Sequence, residues 1–303
     1  FKTIKFAADI AGCRLTKELV STKTYMIIGT RPGAPNVAIR GSDTPPLADP
    51  IGNDIYNTDA VRIFNVQAGT ITATNLNLKN TLARAYVGDP STPSGKGGAI
   101  YIASDAKYVA NGGQFIDNYA LACGGAVYVA EGGAFTGSGL YATLNQSFRG
   151  GMIANFGNVS LTGVNTFFKN FSGALSENMT SNSFGGAIYN VGTTTIGDAG
   201  KPQEITTFTE NTSISIQPAP GAQLIGGSGG AIYNTSRPGK TVSLSVYNAV
   251  FTGNVSSKYG GAIASFDVLN VQNSTFTNNR AAAGGAIQTS GTTTIIGGAF
   301  NQN

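Results

Sequence analysis

Two short motifs alternate along this chain, and their alternation limits what it can fold into more than any other feature. Gly-Gly-Ala-Ile or a near relative begins at Gly97, Gly124, Gly150, Gly185, Gly229, Gly260 and Gly284. Phe-x-x-Asn begins at Phe115, Phe167, Phe208, Phe251, Phe276 and Phe300, and Phe135-Thr-Gly-Ser reads as a worn copy. From Gly260 to Phe276 is 16 positions, from Phe276 to Gly284 is 8, and from Gly284 to Phe300 is 16 again. The basic unit is therefore about 24 residues, within the range of solenoid repeats.

Helix is excluded within the unit. Gly-Gly pairs break helices, and the apolar positions alternate, as at Val242, Leu244 and Val246, rather than recurring every three or four. Three short strands joined by turns fill the unit. Such a strand has no local partner, so its backbone groups are satisfied only by stacking identical coils into parallel ladders. The expected fold is all-β, a right-handed parallel β-helix with loop insertions at one turn.

Stacking gives each motif residue a role in the scaffold. Ile100, Val127, Ile188, Ile232, Ile263 and Ile287, with Ile153, are expected in one inward aliphatic column, Ile232 and Ile263 in register. Phe115, Phe167, Phe208, Phe251 and Phe276 are expected in a second column with offset ring packing. Asn118, Asn170, Asn211, Asn254 and Asn279 are expected at turns, bonded to their copies above and below. The glycine pairs suit a tight turn without side-chain bulk.

The expected organisation is an N-terminal cap over 1–23, degenerate coils over 24–96 and regular coils over 97–303. In the degenerate part, the runs 24–29, 36–41, 62–69 and 70–80 are spaced like successive coils. From the motif asparagine to the next Gly-Gly is 6 residues after Asn118 and Asn254 and 5 after Asn279. It is 12 from Ser138, 15 from Asn170, 18 from Asn211 and 17 from Asn80. Segments 136–149, 171–184 and 212–228 are therefore expected on one edge, as the contact surface. At the other extreme, the closing run GGAFNQN ends on a motif strand. A coil so placed needs a cover, either further coils or a copy docked head to tail.

These repeats resemble those of the chlamydial polymorphic outer membrane proteins and related bacterial β-helical surface proteins. The lead-in MIIGTRPGAPNVAIRGSD, then RIFNVQAGTITATNLNLKN, then GGAIY, is similar to their N-terminal coils, and the resemblance spans roughly residues 24–303. It implies a secreted or surface-displayed β-helix, often an adhesin or a passenger domain.

Composition removes several classes of function. The chain has no histidine, which excludes Ser–His and Cys–His catalysis and the usual zinc and haem ligand sets. Its 15 acidic residues are scattered, the densest run being Asp49, Asp54 and Asp59, and none forms the facing carboxylate pair of a glycosidase. No enzyme activity and no cofactor are expected. Cys13 and Cys123 match no metal or redox spacing and should lie too many coils apart to bridge. The net charge of +4 arises in the first third, where residues 1–96 carry 11 Lys/Arg and 7 Asp/Glu. No basic run is dense enough for a nucleic-acid footprint, and no apolar run reaches a membrane span. The expected partners are a surface protein or glycan of a host or neighbouring cell, or copies of the chain end to end. The first reading is an adhesin or recognition module, the second a structural subunit of a sheath, filament or wall layer, and the third a polysaccharide-active enzyme.

Overall fold

From Ile100 to Ser256 each coil runs through four short strands, as in Ile232–Asn234, Ser243–Tyr247, Ala249–Thr252 and Val255–Ser256, and the last two coils keep the first three. The structure is a computed structural model, and it describes residues 2–5, 12–28, 37–42, 60–83, 95–173, 183–214 and 226–303. Corresponding strands stack into four sheets: a GGA sheet of 9 strands, a middle sheet of 10, a Phe sheet of 10 and a short sheet of 6. Every strand joins its counterparts in neighbouring coils, and every paired strand is parallel, as from Ile188↔Ile232 to Ile263↔Ile287. The chain is a parallel β-helix, with seven GGA strands beyond residue 97.

The interior is built from columns that side-chain alternation aims inward. Ile100, Val127, Ile153, Ile188, Ile232, Ile263 and Ile287 stand in one column, extended below by Phe64. In the Phe sheet, Phe167, Phe208, Phe251, Phe276 and Phe300 stack with ring centroids 4.7–4.9 Å apart and planes within 8°. That separation is one coil, so the rings repeat with the backbone. Below Phe167 the column continues through Ala142, Phe115, Leu78, Ile39 and Cys13.

The asparagine column satisfies itself. The Asn211 amide nitrogen donates to Asn254 Oδ1 at 3.0 Å and to the Phe167 carbonyl at 2.9 Å. Its Oδ1 accepts from the backbone N–H and the amide nitrogen of Asn170. Asn145, Asn170, Asn254 and Asn279 make the same set of bonds, Asn118 makes the donor half of it, and Asn303 Oδ1 receives the last pair. These amides are buried, where an unpaired polar group is costly, so each copy depends on its neighbours. To aim the amide inward, the preceding residue turns left-handed: Asp117, Leu144, Lys169, Glu210, Gly253 and Asn278 have φ between 52° and 62°.

The two glycines of each pair answer different demands. Gly185 has φ 66°, which L side chains resist. At Gly186 a Cβ would collide with the Gly230 carbonyl of the next coil, so backbone proximity excludes any larger residue.

Several sequence expectations need correction. Phe135 is not a Phe-x-x-Asn residue: it lies in the middle sheet, paired with Tyr108 and Val159. The true copy is Ala142-Thr-Leu-Asn145, and Phe135 fills the volume that Ala142 leaves, edge-on to Phe115 at 6.4 Å. Segment 136–149 is consequently no loop, since Tyr141–Thr143 and Gln146–Arg149 are strands. Asn80 is not a ladder residue either: Leu78 is in register with Phe115, and Thr81 bonds Asn118 Oδ1 at 2.8 Å. The runs 24–29 and 36–41 are two faces of one coil, as are 62–69 and 70–80. Segment 1–23 supplies the first strand of the middle and Phe sheets and of the GGA sheet. Excursions leave from more than one turn: 198–205 connects the middle to the Phe sheet, and 235–242 connects the GGA to the middle sheet. The inner parts of 171–184 and 212–228, and all of Asp49, Asp54 and Asp59, lie outside the described residues.

Candidate functional site

The outer surfaces of the sheets differ sharply. On the Phe sheet the outward residues are mainly threonines, Thr166, Thr207, Thr209, Thr252, Thr275 and Thr277, with Gln114, Ile116, Tyr141, Phe168 and Val250. On the middle sheet they are mainly Asn, Ser and Thr, as in Asn158, Ser160 and Thr162. Such residues suit a solvated pleat and repeat from coil to coil.

On the GGA sheet the outward face is aromatic. Tyr101, Tyr128, Ala154, Tyr189 and Tyr233 follow one another in register, immediately after the inward column. Phe156 and Phe266 stand just past the ends of the strands Ile153–Asn155 and Ile263–Ser265, and Phe184 and Tyr259 just before the glycine pairs. The rings touch throughout: Tyr101–Tyr128 at 5.4 Å, Tyr128–Phe156 at 5.3 Å, Phe156–Tyr189 at 5.9 Å, Phe184–Tyr233 at 4.4 Å and Tyr233–Phe266 at 5.4 Å. Where Ala154 omits a ring from the tyrosine column, Phe156 closes the gap from beside it.

Cations border this face along the glycine-pair turn. The Lys96 Nζ lies 5.1 Å from the Tyr128 ring, the Arg149 guanidinium 5.9 Å from Tyr189, and the Lys258 Nζ 4.9 Å from Tyr259. Such contacts use the negative faces of the rings. Among the described residues none of the three takes part in an ion pair. At the lower end Arg62 differs. It is buried, bonds Glu18 at 2.8 Å, and donates to the Gly97 and Lys96 carbonyls. Burial lowers its pKa, against the opposing pull of Glu18.

Burial also governs the titrating groups beneath. It pushes the Tyr189 phenol up to about 12 and the Tyr128 phenol higher still. It raises the Cys123 thiol against the pull of Arg149 and Lys96, so that thiol stays protonated at neutral pH. Cys13 and Cys123 are both free, and Cys13 serves as an apolar residue at the foot of the Phe column.

On the far side, the excursion after Asn234 forms a hairpin. The run Arg237-Pro238-Gly239-Lys240 has proline where the turn fixes φ and glycine at φ 71°, the requirements of a type II turn. The turn sets Arg237 and Lys240 side by side, and both reach Glu131, three coils below, at 2.9 and 2.6 Å. The Lys240 and Arg237 bonds hold the Glu131 carboxyl below its ordinary range. Beneath the hairpin is a pocket of about 170 Å³ bounded by Phe156, Asn158, Val191 and Thr193.

The chemistry available is recognition. Among the described residues no three His, Cys, Asp or Glu side chains converge. Glu131, Glu204 and Glu210 each face a lysine or arginine. The ladder residues are buried from Asn118 to Asn279. On the outer face Tyr128 and Tyr189 are covered by their neighbours as well, and the surface offered to a partner comes from the half-buried Tyr101, Phe156, Phe184, Tyr233, Tyr259 and Phe266. The loop insertions stand out from the repeat in the sequence, whereas the tyrosines lie inside it. Their signal is the residue directly after each inward Ile or Val, which must point outward and is aromatic in GGAIY and GGAVY. No helix among the described residues is long and apolar enough to cross a membrane.

Comparison with known proteins bears on the same coils. The Chlamydia polymorphic membrane protein (Chlamydia_PMP) repeat matches residues 205–235, 248–265 and 273–290. No curated protein matches the chain, and no solved structure does. The register that joins the matched coils continues without interruption down to Phe64. The chain is thus a parallel β-helix whose repeats resemble those of the Chlamydia polymorphic membrane proteins.

Proposed function

We propose that this chain is an adhesin or recognition module, which binds a surface protein or glycan of a host or neighbouring cell through the outer face of its GGA sheet. One observation carries the reading: among the described residues that face alone carries a contact network of eight aromatic rings, six of them half-buried and two buried, bordered by cations that form no ion pair with a described residue, where the Phe and middle sheets present mostly threonine, serine and asparagine. Aromatic rings and arginine are the side chains that dominate binding energy at interfaces. A fold does not require them there, because Ala154 and Ala264 occupy the same column without breaking the register. The repeat match supports surface display, which such a role needs.

Adhesion of coated beads to cultured cells tests the reading. Beads carrying the native chain should bind, and beads carrying Tyr101→Thr/Tyr233→Thr should bind roughly tenfold less, as for loss of interface anchors. Phe168→Thr, on the outer side of the Phe sheet, should leave adhesion unchanged. Equal adhesion by the double variant would refute the assignment of this face.

A further inference from the structure

The hairpin clasp holds more positive charge than its own partner neutralises. Arg237 and Lys240 each take one oxygen of the single Glu131 carboxylate, which leaves one excess positive charge over the pocket. Exposed ion pairs of this kind contribute little stability, and the hairpin is already closed by its own turn and by the Lys240 N–H bond to the Arg237 carbonyl. Holding the hairpin down does not require a second cation.

The pocket below has the other components of a sugar site. Phe156 supplies an apolar wall continuous with the aromatic face. Asn158 and Thr193, in register on adjacent coils and exposed, supply an amide and a hydroxyl. An apolar ring beside a few convergent polar groups is the general composition of a small-ligand site. The volume of about 170 Å³ admits one ring rather than a peptide side-chain cluster. The excess charge selects an acidic ring.

We infer that the pocket between the Arg237–Lys240 hairpin and Phe156 binds one acidic sugar unit of a glycan, its carboxylate or sulfate shared between Arg237 and Lys240 in competition with Glu131. The inference rests on the adhesin reading and narrows it to a ligand class. Glu131 occupies the anion position when the pocket is empty and yields to the ligand's anion.

Competition gives the test opposite signs at neighbouring residues. The full chain is titrated by calorimetry with a hyaluronan hexasaccharide, with the same hexasaccharide after reduction of its carboxylates to hydroxymethyl groups, and with inorganic sulfate alone. The native chain should prefer the acidic hexasaccharide to the reduced one by roughly tenfold, the scale of one charged partner. Arg237→Gln/Lys240→Gln should abolish the preference. Glu131→Gln should strengthen binding of the acidic hexasaccharide severalfold, because it frees both cations. A purely structural clasp would give weaker or unchanged binding in Glu131→Gln, and that result overturns the inference. Equal binding of both hexasaccharides, binding of neither, or binding of sulfate as tight as the hexasaccharide also overturns it. Bead adhesion with Arg237→Gln/Lys240→Gln separates the two proposals. If native beads adhere and the variant adheres equally, the pocket assignment falls while the adhesin reading stands. If native beads fail to adhere but the hexasaccharide binds as described, the reverse holds.

Discussion

The interior of the Phe sheet and the outer face of the GGA sheet are both stacks of rings, built by the same coil repeat, yet they obey different rules. In the Phe column the rings are parallel within 8° at one-coil spacing and recur without interruption from Phe167 to Phe300. On the outer face the rings come from three positions of the coil, tilt by as much as 69° and skip Ala154 and Ala264. An inward side chain must fit the copy above and the copy below, so one residue type propagates. An outward side chain is packed on one side only by the sheet, and is freer to vary even where neighbouring rings cover it, as at Tyr128 and Tyr189. Regularity therefore marks scaffold in this molecule, and departure from the solvated Thr/Ser pattern marks a surface with another task.

The largest effect that sharpens the contrast should come from the inside. Phe251 lies between Phe208 and Phe276, 4.8 Å from each and fully buried. Phe251→Ala should cost about 4 kcal/mol through the cavity it opens, read as a fall in the denaturant midpoint. An unchanged midpoint would mean that the column is not a core. Asn211→Ala comes next. It removes four buried hydrogen bonds, two donated to the Phe167 carbonyl and the Asn254 oxygen and two accepted from Asn170, and it takes the acceptor from the Asn170 backbone N–H. A loss of about 3 kcal/mol is expected, and Asn211→Asp should not restore it, because a carboxylate cannot donate to either acceptor.

A smaller effect should have the opposite sign. Leu144 holds φ 57° and is half-exposed in the turn before Asn145. Leu144→Gly should raise stability by roughly 1 kcal/mol by removing left-handed strain, and a lower midpoint would contradict the turn geometry. The subtlest effect is in titration. Tyr189 should stay neutral to about pH 12, whereas in the unfolded chain it ionises near its ordinary value of 10.0. The folded state then holds the proton more tightly, so the stability from this group is intact below pH 10 and falls as pH rises towards 12. Ultraviolet absorbance of phenolate in native and denatured chain reads it directly, and a native titration at the ordinary value would place Tyr189 in solvent.

The scaffold was legible because repetition multiplies a weak signal. A single Phe-x-x-Asn means nothing, whereas its alternation with Gly-Gly-Ala-Ile fixed the columns through Ile232, Phe251 and Asn254 before any coordinates. Legibility failed where physics conserves volume rather than letters. At Ala142 the column keeps its place and loses its ring, and Phe135 supplies the missing bulk from a different sheet, so a search for phenylalanine selects the wrong residue. Thr81 replaces asparagine in the ladder because a hydroxyl can also donate to Asn118. The outer aromatic face was visible one residue past each inward isoleucine, but one coil shows only an exposed tyrosine. The face exists through stacking, which no single repeat displays. The clasp is further still from sequence, since Glu131 and Arg237 are 106 positions apart.

The account stands on the claim that the outer rings are surplus to folding, and one paired measurement reaches it. Tyr233 touches Phe184, Tyr189 and Phe266 on the outer face, and threonine is the residue that the neighbouring outer face uses at such positions. Guanidinium unfolding of Tyr233→Thr should shift stability by about 1 kcal/mol, a quarter of the loss in Phe251→Ala under the same conditions. A loss in Tyr233→Thr equal to that of Phe251→Ala would show that the outer rings are a second core, and the distinction between scaffold and presented surface would fall.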